Sequence, residues 1–224
     1  MGAELIGGHT EITHGLGRPI LAGAMLGEVE RDRLVLPTGA PPGDSLILTK
    51  RLAVEATARL AREKGAELAG RVDPRVLARA RDFLHDPGIG VLRDARAALA
   101  AARVHAMHDP TEGGLATGIH ELAQAAGVGI EVDAGVPVHP ETLELCAAFG
   151  MDPWGVIASG SLLVAVAPED ADGVLASLAA TGVEGAVIGR VRESARGVVR
   201  LDSGRAAPLP PFERDEIAKA FAVA

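Results

Sequence analysis

The chain has 224 residues, of which 48% are hydrophobic and only 2% aromatic, and carries a formal net charge of -8. That length accommodates one domain of good size plus part of another, with a core built from Ala, Val, Leu and Ile rather than rings. The acidic balance, with no basic run to offset it, argues against a nucleic-acid partner. No apolar stretch approaches the roughly 18 residues of a membrane span and no basic, apolar leader opens the chain, so a cytoplasmic protein is expected. The single cysteine, Cys146, excludes an internal disulfide. It lies in the helix pattern of residues 141–149 and reads as a small core residue.

Residues 1–37 hold strand-like runs at 4–6, 9–13 and 18–26, broken by glycine turns. No helix follows to cover them, so they read as the closing strands of a truncated domain. Residues 38–44, Thr-Gly-Ala-Pro-Pro-Gly-Asp, form a turn-rich linker. A strand is expected at 45–49, ending at Lys50, then a helix at 54–64 stopped by Gly65. Asp73-Pro74 opens a helix to about Leu84, and residues 86–88 break it. An Ala-rich helix at 91–102 has Arg93, Asp94 and Arg96 for its wet side. A strand at 103–107 feeds a helix at 114–126, and a strand at 129–132 and a helix at 140–149 follow. The apolar run 162–167 reads as a buried, central strand, followed by a helix at 169–180. Residues 186–191 and 197–201 look like a hairpin, the prolines at 208–211 break the chain, and 213–222 make a last helix. The alternation over 45–202 predicts an α/β (α+β) sandwich, a mixed sheet covered by helices, with 203–224 as a C-terminal loop and helix.

The chemistry concentrates at residues 104–123, Val-His-Ala-Met-His-Asp-Pro-Thr-Glu-Gly-Gly-Leu-Ala-Thr-Gly-Ile-His-Glu-Leu-Ala. A strand here delivers Asp109, Thr111 and Glu112 to the mouth of a helix, with Gly113 and Gly114 between. Free N–H groups at a helix start suit phosphate, and carboxylates beside them suit magnesium. The same letters make a capping box, with Asp109 as N-cap, Pro110 as first helical residue and Glu112 reaching back. Two glycines in a first turn cost up to about 1 kcal/mol each, which plain capping does not explain and close backbone approach does.

The run His108-Asp109-Pro110-Thr111-Glu112-Gly113-Gly114-Leu115-Ala116-Thr117 resembles the second-domain signature of the AIR (aminoimidazole ribonucleotide) synthase superfamily, most nearly its hydrogenase-maturation, HypE-like branch. Three further segments match in order: Gly7-Gly8-His9-Thr10-Glu11, Leu48-Thr49-Lys50, and Asp152-Pro153 followed by Ala158-Ser159-Gly160-Ser161-Leu162-Leu163. The resemblance implies an AIR synthase C-terminal-like domain preceded by the remnant of a nucleotide-binding, dimerising first domain. It implies ATP and Mg2+ as cofactors, and activation of an amide or carboxamide oxygen or phosphorylation of a small acceptor. By the same resemblance Gly7, Gly8, Thr10, Lys50, Thr111, Gly113 and Gly114 contact nucleotide phosphates, and Glu11 and Asp109 hold metal. The chain departs from the pattern by lacking most first-domain acidic residues, and by Glu55-Ala56-Thr57 where relatives read Glu-Gly-Thr. In the HypE-like reaction the acceptor is a carbamoyl group on a C-terminal cysteine; here the chain ends Lys-Ala-Phe-Ala-Val-Ala.

Other groups weigh less. His105 and His108, three apart on a strand, point to opposite faces and do not chelate one ion. Ser159-Gly160-Ser161 is no nucleophile elbow, and no Walker-type loop is present. Two readings remain. One is an ATP-dependent synthase or phosphotransferase, active when complemented, with a small-molecule or carbamoyl-type acceptor. The other is a non-catalytic, partner-dependent remnant. Unpaired strand edges in residues 1–37 would seek a second copy, as a homodimer, or a complementing N-terminal-domain chain.

Overall fold

A computed structural model describes residues 2–222 of the chain, which divides into two units, Met1–Leu34 and Val35–Ala224. In the first unit the described residues make no strand. They run irregular and exposed, with one 3-10 turn at Arg31–Arg33. The strands expected at 4–6, 9–13 and 18–26 are therefore not formed. An extended segment becomes a strand only when a neighbour takes up its N–H and C=O groups, and no ladder includes these residues. Leu5, Ile6, Ile12, Leu21 and Leu26 are each at least 89% exposed.

The second unit is built on a seven-stranded mixed sheet. In chain order its elements are β1 (Ser45–Thr49), α1 (Val54–Glu63), α2 (Gly65–Leu68), α3 (Pro74–Asp82), α4 (Leu92–Ala101), β2 (Ala106–His108), α5 (Gly114–Ala126), β3 (Gly129–Asp133), α6 (Pro140–Ala148), β4 (Leu163–Val166), α7 (Ala171–Ala180), β5 (Gly185–Arg192), β6 (Val198–Asp202), β7 (Arg205–Pro208) and α8 (Ala218–Phe221). The strand order is β2-β4-β1-β5-β3-β6-β7, antiparallel except for the β3–β6 pair. Alternation along the strands feeds two cores. Leu46, Leu48, Leu163 and Ala165 join Leu60 of α1, Leu115, Ile119 and Leu122 of α5, and Leu145 of α6. Ile47, Val164 and Val166 point the other way, onto Ala97 and Ala98 of α4 and Val174 and Leu178 of α7. Both faces of β1 and β4 are thus covered, which is why these strands read as unbroken apolar runs. Cys146 lies in the first core, as its helix pattern predicts.

Three expectations are corrected. β4 is fully buried, yet it sits next to the edge strand β2 rather than at the centre of the sheet. Its burial comes from the helices above and below, so apolarity does not report position in the order. β5 and β6 do not form a hairpin, because β3 lies between them and pairs antiparallel with β5 and parallel with β6. The hairpin is β6–β7, turned at Ser203-Gly204. The last helix is four residues long, and 213–217 is a turn and bend segment with other work. No helix among the described residues is long and apolar enough to cross a membrane.

Candidate functional site

The turn after β1 is strained. Lys50 (φ 53°) and Ala53 (φ 61°) both adopt the left-handed region that non-glycine residues avoid. What holds Lys50 there is its ammonium group, which is buried. Nζ donates to Asp94 Oδ2 at 2.9 Å, to the Gly160 carbonyl at 2.7 Å and to the Gly90 carbonyl at 3.1 Å. Three donors meet three acceptors, so Lys50 ties β1 to two loops and has no N–H left for a phosphate. Thr49 Oγ1 donates to the same Asp94 oxygen at 2.6 Å and accepts from the Leu162 N–H. Asp94, expected on the wet side of its helix, is fully buried, because an uncompensated Lys50 charge at this depth would be costly.

The signature segment leads from β2 into α5, and here the capping-box reading fails. Asp109 is exposed and α5 starts at Gly114, so the N-cap is Gly113, with φ 75°. Gly114 is also left-handed, at φ 69°. A Cβ on Gly114 would lie 2.4 Å from the Trp154 carbonyl oxygen and 2.7 Å from that of Val156. The close approach that calls for glycine here is thus made by the chain's own 154–156 backbone. The Thr111 carbonyl accepts from Gly114 and Ala158, both at 3.1 Å, pinning the same loop to the helix start.

The Gly113 N–H finds an acceptor 102 residues away. Asp215 Oδ2 accepts from Gly113 at 2.8 Å, while Oδ1 accepts from Ile157 at 3.2 Å and from Ile217 at 2.8 Å. Two N–H groups from separate segments therefore converge on one carboxylate at the positive end of α5. Asp215 escaped the sequence reading, which placed it in a last helix over 213–222. The only local signal was an acidic residue shortly after Pro210-Pro211.

Three of the four motif segments are thus drawn together by the loop 154–161. Trp154 and Val156 lie against Gly114, Ser159 accepts the Glu55 N–H at the start of α1, Gly160 accepts from Lys50, and Ser161 Oγ donates to the Arg51 carbonyl. Gly7, Gly8, Thr10 and Glu11 lie exposed in the first unit, where His9 Nε2 stands 3.9 Å from a Glu11 carboxylate oxygen. His105 and His108 take separate partners, Asp44 and Glu121, each at 2.8 Å. A cleft of about 340 Å³ beside Arg51 and Glu184 is bordered by only one candidate residue, Lys50. Among the described residues no three His, Cys, Asp or Glu side chains gather as a metal-binding group. Asp109 stands as an exposed carboxylate beside the helix start. Magnesium takes six oxygens and accepts substrate phosphate and water among them, so these residues supply at most part of its shell.

Residues 41–202 match the model of the AIR synthase related protein, C-terminal domain. The chain belongs to the AIR synthase-related family. This member is 34% identical over 157 residues to the carbamoyl dehydratase HypE of Rhizobium leguminosarum bv. viciae, an alignment covering 68% of the chain and 41% of that protein. The crystal structure of Escherichia coli HypE, a hydrogenase maturation protein, superposes with a TM-score of 0.62 at 26% identity, over 81% of this chain and 54% of the other. A second HypE structure, determined in complex with ATP, shares the fold at a TM-score of 0.61 and 22% identity, over 85% of this chain and 57% of that one. The chain therefore spans about half the length of the relatives it matches. This AIR synthase-related domain is α/β with a mixed sheet, as its element pattern predicts.

Proposed function

We propose that this AIR synthase-related chain is the second-domain part of a cytoplasmic, ATP-dependent enzyme of the HypE type. In this reading the start of α5 receives a nucleotide phosphate on the Gly113 N–H, with Thr111 and Gly114 shaping the approach. Asp109 supplies a carboxylate to the accompanying magnesium, together with the nucleotide's own phosphates. Gly7, Gly8, Thr10 and Glu11 belong to the complementary face, completed by a second copy or by a first-domain chain. The observation that carries the reading is the Asp215 carboxylate on the N–H groups of Gly113 and Ile157: the signature helix start already holds an anion. A HypE relative crystallised with ATP supports the choice of ligand. The acceptor in this reading is a small molecule or a carbamoyl-type group. Cys146 is not the acceptor, because burial first, and the acidic Asp152 and Glu216 second, push its thiol up to about 12.

The test is calorimetric titration of Mg-ATP into the chain alone and into the chain supplemented with a first domain from a HypE relative. Affinity weaker than about 1 μM, or -8 kcal/mol, is expected for the chain alone, and tighter binding once complemented. Asp109→Asn should weaken the complemented binding about tenfold, with the melting temperature unchanged. Equal binding by wild type and Asp109→Asn would remove Asp109 from the metal site.

A further inference from the structure

A helix start is ordinarily capped by its own neighbours, through a Ser, Thr, Asp or Asn at the N-cap. In α5 that economy is refused. Gly113 has no side chain, and Asp109 and Glu112 are exposed. The cap comes from Asp215, in a segment stitched down on both sides of it. The Phe212 N–H donates to Thr117 Oγ1 at 3.1 Å, and the Phe212 ring fills the space a Cβ on Gly155 would take. The Glu216 N–H donates to the Gly155 carbonyl at 3.0 Å, and Glu216 Oε2 accepts from Asp152 at 2.9 Å. Ile217 and Ala220 are buried beyond it. Residues 212–220 therefore form a strap across the α5 start, with one carboxylate at its centre.

We infer that Asp215 is an internal stand-in for the anionic ligand of this site, so that the strap must lift for a phosphate group to bind. This rests on the phosphate reading of the Gly113 start and adds its regulation. The stand-in uses the N–H groups a phosphate oxygen would use. Two anions sharing the same N–H groups repel each other, most strongly where water is excluded, so the two occupants exclude each other. Asp215 also bonds the Ile217 N–H and is flanked by the anchors of Phe212 and Glu216, so displacing the carboxylate loosens the strap as a unit. By linkage, whatever fixes the strap weakens anion binding, and anion binding frees the strap by the same factor. A partner that binds residues 212–220 only when they are lifted off the α5 start would therefore switch the site on from outside.

The test uses the full chain and inorganic phosphate at constant ionic strength, reading the backbone amide resonances of Gly113, Ile157 and Ile217. Asp215→Asn keeps an acceptor oxygen and loses the charge; Asp215→Ala loses both. Phosphate should shift the Gly113 and Ile157 amides at least tenfold more tightly in both variants than in wild type. In wild type, saturating phosphate should speed hydrogen exchange at the Ile217 amide. Equal phosphate affinity in all three proteins would leave the phosphate reading standing and overturn the stand-in role. No response at Gly113 or Ile157 in any protein, with Ile217 exchanging fast in Asp215→Ala, would show a long-range cap only and overturn both. Should Asp215→Ala fail to fold, Asp215→Asn alone decides, since it preserves the hydrogen-bond acceptor.

Discussion

Gly114 and Lys50 show how differently two residues of one motif set are constrained. Gly114 faces two carbonyl oxygens at a backbone conformation an L side chain rarely adopts, so Gly114→Ala adds both a clash and left-handed strain. About 2–5 kcal/mol of stability should be lost, measurable by urea unfolding. Lys50→Met leaves Asp94 charged, fully buried and without its ion partner, and should cost about 3–5 kcal/mol. The double change Lys50→Met with Asp94→Leu should recover most of that loss, because two apolar residues replace a buried pair without stranding a charge. Gly114 was legible as a residue with a special reason to be glycine; the reason, the 154–156 backbone, was not. Lys50 was legible only as a lysine at a strand end, since the partners that bury it lie 40, 44 and 110 residues away.

Among the elements, α5 and β3 mark the reach of local pattern. The apolar spacing of Leu115, Ile119, Leu122 and Ala123 predicts α5 over its observed length, and Gly127, at φ 67°, closes it with its N–H on the Ala123 and Gln124 carbonyls. Its first turn was misread, because the acceptor that caps it arrives from another element. In β3, Glu131 meets Arg192 of β5 at 2.8 Å and Arg196 at 2.9 Å. The hydrogen bond from Arg192, outweighing burial and joined by that from Arg196, holds the Glu131 carboxyl below its ordinary value of 4.5. A depressed acid contributes stability that is present above 4.5 and lost as pH falls through its folded value. Glu131→Gln should therefore flatten the fall in stability below pH 4.5, at a cost of at most about 1 kcal/mol near neutrality, since both arginines are partly exposed. Asp44 works in the opposite sense. Burial raises it above 3.8 despite the His105 hydrogen bond, so its contribution is fullest below 3.8 and is lost as pH rises through the raised value. A pH series of denaturant midpoints for wild type, Glu131→Gln and Asp44→Asn separates the two slopes.

At the scale of the whole molecule, the unit Val35–Ala224 holds both hydrophobic cores, whereas the described part of Met1–Leu34 leaves its large apolar side chains at least half exposed. A chain starting at Val35 should melt cooperatively at the temperature of the full chain. The full chain should self-associate in sedimentation velocity and the shortened one should not; a full chain that stays monomeric would remove the homodimer from the proposal. Sequence by itself determined the helices and strands of 45–202 apart from α2, which follows where Gly65 was expected to stop the chain's first helix. It also determined their mixed α/β layering, the core role of Cys146 and the family, because each of these is written in neighbouring letters: a period of two or near 3.6, a turn residue, a run of motif residues. Only the tertiary structure decided that β3 separates β5 from β6, that β4 lies beside the sheet edge, that Asp94 neutralises Lys50, and that Asp215 occupies the α5 start. Local periodicity tells which face of an element is apolar and which groups need a partner. It does not tell which distant segment arrives to meet them, because that is settled by how the covered faces and buried charges of the whole chain are satisfied together.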